Sequence, residues 1–142
     1  MATIESLQQQ YSDLDRRLET KTETAIDSDC LLVFDYEYSG QDTEVVIDMN
    51  EFTAVCPWTG LPDFGSMEIR YVPGQLCIEL KSLKYYLLSF TGVGIVQEHA
   101  ANRILNDLVG VCQPVRMSVN LDYNVRGGLH TTVKANFHKE QE

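Results

Sequence analysis

At 142 residues, with 44% hydrophobic and 23% charged side chains, the chain is sized and composed for one folded domain. Its formal net charge of −10 works against direct binding of nucleic acid or an anionic membrane surface, both of which call for a basic footprint. No apolar run is long enough to span a bilayer, so neither nucleic acid nor membrane is an expected partner.

Residues 1–28 read as a polar leader, at most partly helical and without the character of a signal or transit peptide. Residues 29–142 then form the single domain. LLVFDYEY (31–38) sets Leu32, Phe34, Tyr36 and Tyr38 on one side of a strand, and EVVIDM (44–49) is strand-like and leads into a loop over 53–65. SMEIRY (66–71) alternates Met67, Ile69 and Tyr71 against polar partners. ELKSLKYYLLSF (79–90) changes the period, placing Leu80, Leu83, Leu87 and Phe90 on one helical face and Lys81 and Lys84 together on another. VQEHAANRILNDLV (96–109) repeats Val96, Ala100, Ile104 and Leu108, flanked by Ala101 and Leu105. Alternation returns with Val115, Met117, Val119, Leu121 and Tyr123, and again after VRGG with Leu129, Thr131, Val133, Ala135 and Phe137. This is an antiparallel hairpin with one wet face. The order of strands, two helices and a strand pair predicts an α+β fold with helices on one face of an antiparallel sheet.

Chemistry concentrates in VCPWTGLPDFG (55–65). Cys56 and Asp63 stand seven residues apart in a stretch stiffened by Pro57 and Pro62 and turned by Gly60 and Gly65. A thiolate attacks electrophilic carbon, and a carboxylate beside it passes protons. The same residues also suit a rigid turn with a buried cysteine and a capping aspartate. The other cysteines, Cys30, Cys77 and Cys112, are scattered and read as buried small hydrophobes, and with no Cys/His cluster no metal site is expected. Lys81 and Lys84 either hold a phosphate or decorate a solvated helix face, and Arg126 poses the same choice on a glycine turn. Glu98 either stabilises a helix start or accepts paired N–H bonds from a guanine-type ring. His99, His130 and His138 are isolated.

FTAVCPWTGLPDFG, IELKSLKYYLLSF, GIVQEHAANRIL and NVRGG, in that order, resemble the QueF family of NADPH-dependent 7-cyano-7-deazaguanine reductases, short single-domain type, over about residues 30–138. The resemblance implies the tunnelling fold, in which a sheet with two helices assembles into barrels, here a homodecamer of two pentamers with active sites between subunits. It implies a cytoplasmic enzyme that reduces the nitrile of a free 7-deazaguanine to an amine with two NADPH, in queuosine biosynthesis. Cys56 would form a thioimide and Asp63 would protonate the nitrile nitrogen. Glu98 and Gln97, with Ile78, Glu79 and Leu80, would bind the base. Lys81, Lys84 and Arg126 would hold the cofactor phosphates, and no metal is called for. Many family members have histidine where this chain has Gln97, which cannot titrate, and His99 is expected to face another direction on the helix. Other readings are a related amidinotransferase, which forms an amidine from the same thioimide, and a non-catalytic purine- or pterin-binding oligomer. GTP cyclohydrolase I shares the fold, but its zinc ligand set is not apparent here.

Overall fold

The alternation of apolar and polar residues in the two longest strands decides which way the sheet faces. The computed structural model describes residues 2–14 and 18–140. After a helix α1 (Ile4–Leu14), the chain makes two short 3-10 turns, Glu23–Ala25 and Ser28–Cys30. It then runs β1 (Val33–Asp35), β2 (Val45–Val55), β3 (Pro62–Val72), β4 (Leu76–Ile78), α2 (Leu80–Leu88), α3 (Gln97–Cys112), β5 (Arg116–Tyr123) and β6 (Thr132–His138). The main sheet is antiparallel, in the order β2-β3-β5-β6, and β1 pairs with β4 in a separate two-stranded ribbon. The expected α+β fold is therefore present, including the hairpin of β5 and β6, registered Met117↔Phe137 and Val119↔Ala135.

In β3, Met67, Ile69 and Tyr71 are buried, and in β5 Met117, Val119, Leu121 and Tyr123 are buried with them. A strand has period two, so one face of each becomes wholly apolar and is covered by the helices. Ala100, Ala101, Ile104, Leu105 and Leu108 of α3 meet that face, as their 3.6-residue spacing requires. From α2, Leu83, Tyr86 and Leu87 enter the same core, where the ring of Phe90 lies 5.6 Å from Phe52 and 5.4 Å from Tyr86. A fully buried phenylalanine of this kind contributes about 1.5–3 kcal/mol through burial alone. The opposite face stays polar and forms a trough of about 600 Å³ lined by Asp48, Ser66, Glu68, Asn120, Asp122 and Lys134 among others.

Several expectations need correction. Most of the loop expected over 53–65 is strand, because β2 runs to Val55 and β3 resumes at Pro62. Alternation breaks at a bulge, where Met49 pairs with Met67 but Phe52 pairs with Gly65, one residue out of step. Before the bulge Val45, Ile47 and Met49 face the core, whereas after it Phe52 and Ala54 do. The strand of residues 31–38 shrinks to β1, with Leu32, Phe34 and Tyr38 exposed. Leu80 and Leu129 are exposed rather than facing the core.

Residues 1 and 15–17 of the polar stretch 1–28 lie outside the described residues. The rest includes α1, opened by reciprocal Thr3–Ser6 hydrogen bonds of the capping-box kind. It also includes a segment bound to the folded body. The Leu18 amide donates to the Thr59 carbonyl at 3.1 Å, Lys21 exchanges main-chain bonds with Gly92 and Gly94, and Ile26 is buried in the core.

Candidate active site

The bulge in β2 carries Cys56 to its place. With Phe52 and Ala54 turned inward, the same phase brings Cys56 to the core side just past the strand end. In β3 the inward phase reads Asp63, Gly65, Met67, so Asp63 lies opposite Ala54 on the same face and is 6% exposed. Two strands that pair antiparallel through a short turn thus deliver a thiol and a carboxylate to one end of the sheet. The turn is closed by main-chain bonds from Cys56 N to Leu61 O (2.9 Å) and from Gly60 N to Cys56 O (2.8 Å). Gly60 takes φ +76°, a conformation that costs a residue with a Cβ.

A cavity of about 520 Å³ opens at this end, lined by Cys56, Pro57, Trp58, Asp63, Val96, Gln97, Glu98, His99 and Arg126. The N-terminus of α3 supplies its second wall. Glu98 lies in the first turn of α3, where a negative charge suits the helix dipole, and its carboxylate forms no ion pair among the described residues. The third wall comes from the turn between β5 and β6. There Arg126 and Leu129 exchange main-chain bonds around Gly127 and Gly128, both at positive φ. From this turn the Arg126 guanidinium donates to the Asp63 carboxylate at 2.5 Å.

Beneath the cavity Tyr123 joins two walls. Its hydroxyl donates to the Gln97 carbonyl at 3.3 Å, and its strand pairs with Gly65 beside Asp63. Burial, then the nearby charges of Asp63 and Glu98, push the phenol well above its ordinary range, so it remains a protonated donor. The Cys56 thiol is shifted the other way. A hydrogen bond from the Thr59 side chain is the largest cause. The amides of Thr59 and Trp58 and the charge of Arg126 add to it, and together they outweigh burial. The thiols of Cys30 and Cys112 are unlike it: burial raises both.

Five of the sequence-predicted site residues therefore meet in one cavity: Cys56, Asp63, Gln97, Glu98 and Arg126. The others lie elsewhere on the chain. Ile78 is buried, its amide bonded to the Tyr71 hydroxyl at 3.1 Å. Glu79 caps α2, its carboxylate accepting from the amides of Lys81 (2.8 Å) and Ser82 (2.7 Å), and those bonds hold it below the usual carboxylate range. Leu80, Lys81 and Lys84 are exposed, and neither lysine forms an ion pair among the described residues. His99, expected to face another direction on the helix from Gln97, borders the same cavity as Gln97 and Glu98. First-turn residues splay around an open helix end, so a cavity wrapped over that end touches all three. Sequence reasoning also passed over Thr59 and Tyr123. Tyr123 was visible only as the last apolar position of a strand.

Fold and site together define a tunnelling-fold protein that presents a thiol beside a buried carboxylate. The QueF family model, described as QueF-like protein, matches residues 62–142. The NADPH-dependent 7-cyano-7-deazaguanine reductase of Thermoanaerobacter pseudethanolicus is 48% identical over 127 residues, covering 89% of this chain and 96% of that protein. The reductase of the same name from Chlorobaculum tepidum is 53% identical over 110 residues, 78% of this chain and 94% of its own. The chain belongs to the QueF family. The crystal structure of the archaeosine synthase QueF-Like in the apo form shares the fold, with a TM-score of 0.64 at 19% identity, over 71% of this chain and 99% of that one.

Proposed function

We propose that this protein is an NADPH-dependent nitrile reductase that converts 7-cyano-7-deazaguanine to 7-aminomethyl-7-deazaguanine through a covalent thioimide on Cys56. It would act in the cytoplasm, on the free base, in a route to queuosine in tRNA. The observation that carries this reading is the convergence of Cys56, Asp63 and Glu98 on one cavity, in a chain whose relatives are named as reductases of that nitrile.

The chain's residues account for the chemistry at the nitrile. The Cys56 thiolate adds to the nitrile carbon, a C–S bond forms, and one π bond of C≡N becomes a lone pair on nitrogen. Asp63 delivers the proton that nitrogen then needs. The proton given up by the thiol is the one to be moved, and a buried carboxylate lining the same cavity is placed to carry it. NADPH, when bound, supplies the two hydrides that separate a nitrile from a primary amine. After the first, the C–S bond breaks and the electron pair leaves with Cys56, giving an imine. A second proton completes the amine. Glu98, whose carboxylate has no ion-pair partner among the described residues, accepts the paired N–H groups of the pyrimidine edge, and Gln97 lies beside it.

Lys81 and Lys84 are two exposed cations on α2, suited to a cofactor's phosphates, with Arg126 offering a third from the other side. Within one subunit these lysines, with Ile78, Glu79 and Leu80, stand apart from the Cys56 cavity. That separation supports a site completed between subunits of a homodecamer built from two pentamers. So do the exposed Trp58 and Leu61 on the nucleophile turn, Phe64 next to Asp63, and Val125 and Leu129 flanking Arg126. The outer edges of β2 and β6 end the sheet and offer strands for pairing with neighbours.

The test is a titration of NADPH oxidation with 7-cyano-7-deazaguanine, with Cys56→Ala in parallel. Two NADPH consumed per nitrile by the wild type, and none by the variant, is the expected result. An adduct on Cys56 by intact mass without NADPH oxidation would move the assignment to an amidine-forming activity.

A further inference from the structure

The ladder between β3 and β5 ends just before Asp63. Its last rung pairs Gly65 with Tyr123, and one further main-chain bond, Asn124 N to Phe64 O at 2.8 Å, closes it. Asp63 keeps its partner Ala54 on β2 but has no rung to β5. Its side chain is nevertheless buried, at 6% exposure. A carboxylate so placed needs a donor to meet its charge and a contact to fix its direction. Arg126 supplies both, from the far side of the gap.

Arg126 is itself held. It opens a hairpin turn with Gly127, Gly128 and Leu129, in which Arg126 and Leu129 exchange main-chain bonds, both at 3.0 Å. Gly127 at φ +60° and Gly128 at φ +80° supply the two positive central angles of a turn that matches the twist of the flanking strands. A Cβ on either would meet nothing within 4 Å, so these glycines serve backbone conformation and not space. From this fixed base the guanidinium reaches back, and its Nη1 donates to Asp63 Oδ1 at 2.5 Å. A carboxylate has two oxygens, so Asp63 can keep this bond at Oδ1 and carry a proton at Oδ2. Both residues line the cavity with Cys56.

We infer that Arg126 is a positioning residue for Asp63 in the covalent half of the reaction: its bond to Oδ1, based on the Gly127–Gly128 turn, aims the carboxylate while the thiol's proton passes to the nitrile nitrogen. This goes beyond a hold on cofactor phosphates, and it rests on Cys56 forming the thioimide. That addition needs no hydride. The S–H bond breaks, a C–S and an N–H bond form, and the proton travels by way of Asp63. A residue serving the cofactor alone would leave this step untouched.

The experiment mixes the full-length protein with 7-cyano-7-deazaguanine in the absence of NADPH and follows the Cys56 adduct by intact mass over a range of nitrile concentrations. Wild type is compared with Arg126→Met and Arg126→Lys. A misplacement of 1 Å costs about a hundredfold in rate, so Arg126→Met is expected to lower the limiting rate of adduct formation by about 10- to 100-fold. The nitrile concentration for half-maximal rate should stay within about twofold of wild type, because the bond acts on proton transfer and not on binding of the base. Arg126 engages a single carboxylate oxygen, a contact that a point charge can reproduce, so Arg126→Lys is expected to recover to within about fivefold of wild type. A limiting rate in Arg126→Met equal to wild type would overturn the proposal. So would a raised half-maximal concentration at an unchanged limiting rate, or an Arg126→Lys protein as slow as Arg126→Met. A wild type that forms no adduct at all would overturn the thioimide reading as well, so the wild-type measurement tells the two failures apart.

Discussion

Gly65→Ala tests how the strands hold the site. Gly65 is in β3 between Asp63 and Met67, paired with Tyr123 at the last rung of the β3–β5 ladder. Its backbone is not in the left-handed region, so the only penalty is space. A Cβ there would sit 2.7 Å from the Asp122 carbonyl oxygen and 3.1 Å from the Tyr123 Cα. Both are main-chain atoms, so no side chain can swing away and the strands must part by several tenths of an ångström. Relief is available at the ladder end, at the expense of the Asn124 N to Phe64 O bond (2.8 Å). That bond and the overpacking together cost about 1–3 kcal/mol. The same movement shifts Asp63 relative to Arg126, whose turn follows Tyr123; a full 1 Å misplacement costs about a hundredfold in turnover, so a shift of several tenths should cost up to about tenfold. Urea unfolding and kcat/KM at one fixed protein concentration are the assays. Gly110→Ala is the control. That glycine is inside α3, where an added Cβ would meet nothing within 4 Å, so alanine should stabilise by about 0.5–1 kcal/mol. A Gly65→Ala protein with the wild-type midpoint and turnover would refute the claim that strand spacing here is fixed by the absence of a side chain.

Asp63→Asn keeps a partner for Arg126 but cannot carry the proton, so kcat should fall about 10²–10⁴-fold while affinity for the nitrile base changes little. Loss of base binding, measured by calorimetry, would show that Asp63 does more than move a proton. Lys81→Ala should raise the KM for NADPH while the Cys56 adduct still forms; an unchanged KM returns that lysine to a solvated helix face. Alkaline stability follows from the core. Burial, the largest cause, pushes Cys112 from 9.0 and Tyr71 from 10.0 each up to about 12. These acids hold their protons in the folded state at pH values where the unfolded chain has released them. Stability should therefore fall as pH rises from about 9 to 12, and urea midpoints across that range should decline less steeply in Cys112→Ala.

Local periodicity told much of this in advance. The alternation in β5 and in residues 66–71, and the helical face of α3, are encoded within single segments, because side-chain direction repeats every two or 3.6 residues whatever the neighbours do. The Cys-Pro loop and the reductase-like segments likewise announced the family. Tertiary structure decided the rest. The bulge that reverses the facing of β2 is set by pairing with β3, and no property of residues 49–52 alone requires it. Asp63 and Arg126 meet across 63 positions of sequence, Leu18 reaches Thr59 from the N-terminal segment, and Glu79 turned out to spend both carboxylate oxygens on a helix start. Hydrogen bonds and charges act through space at a few ångströms, so which groups share a cavity is settled only when strand register and helix docking bring distant segments together.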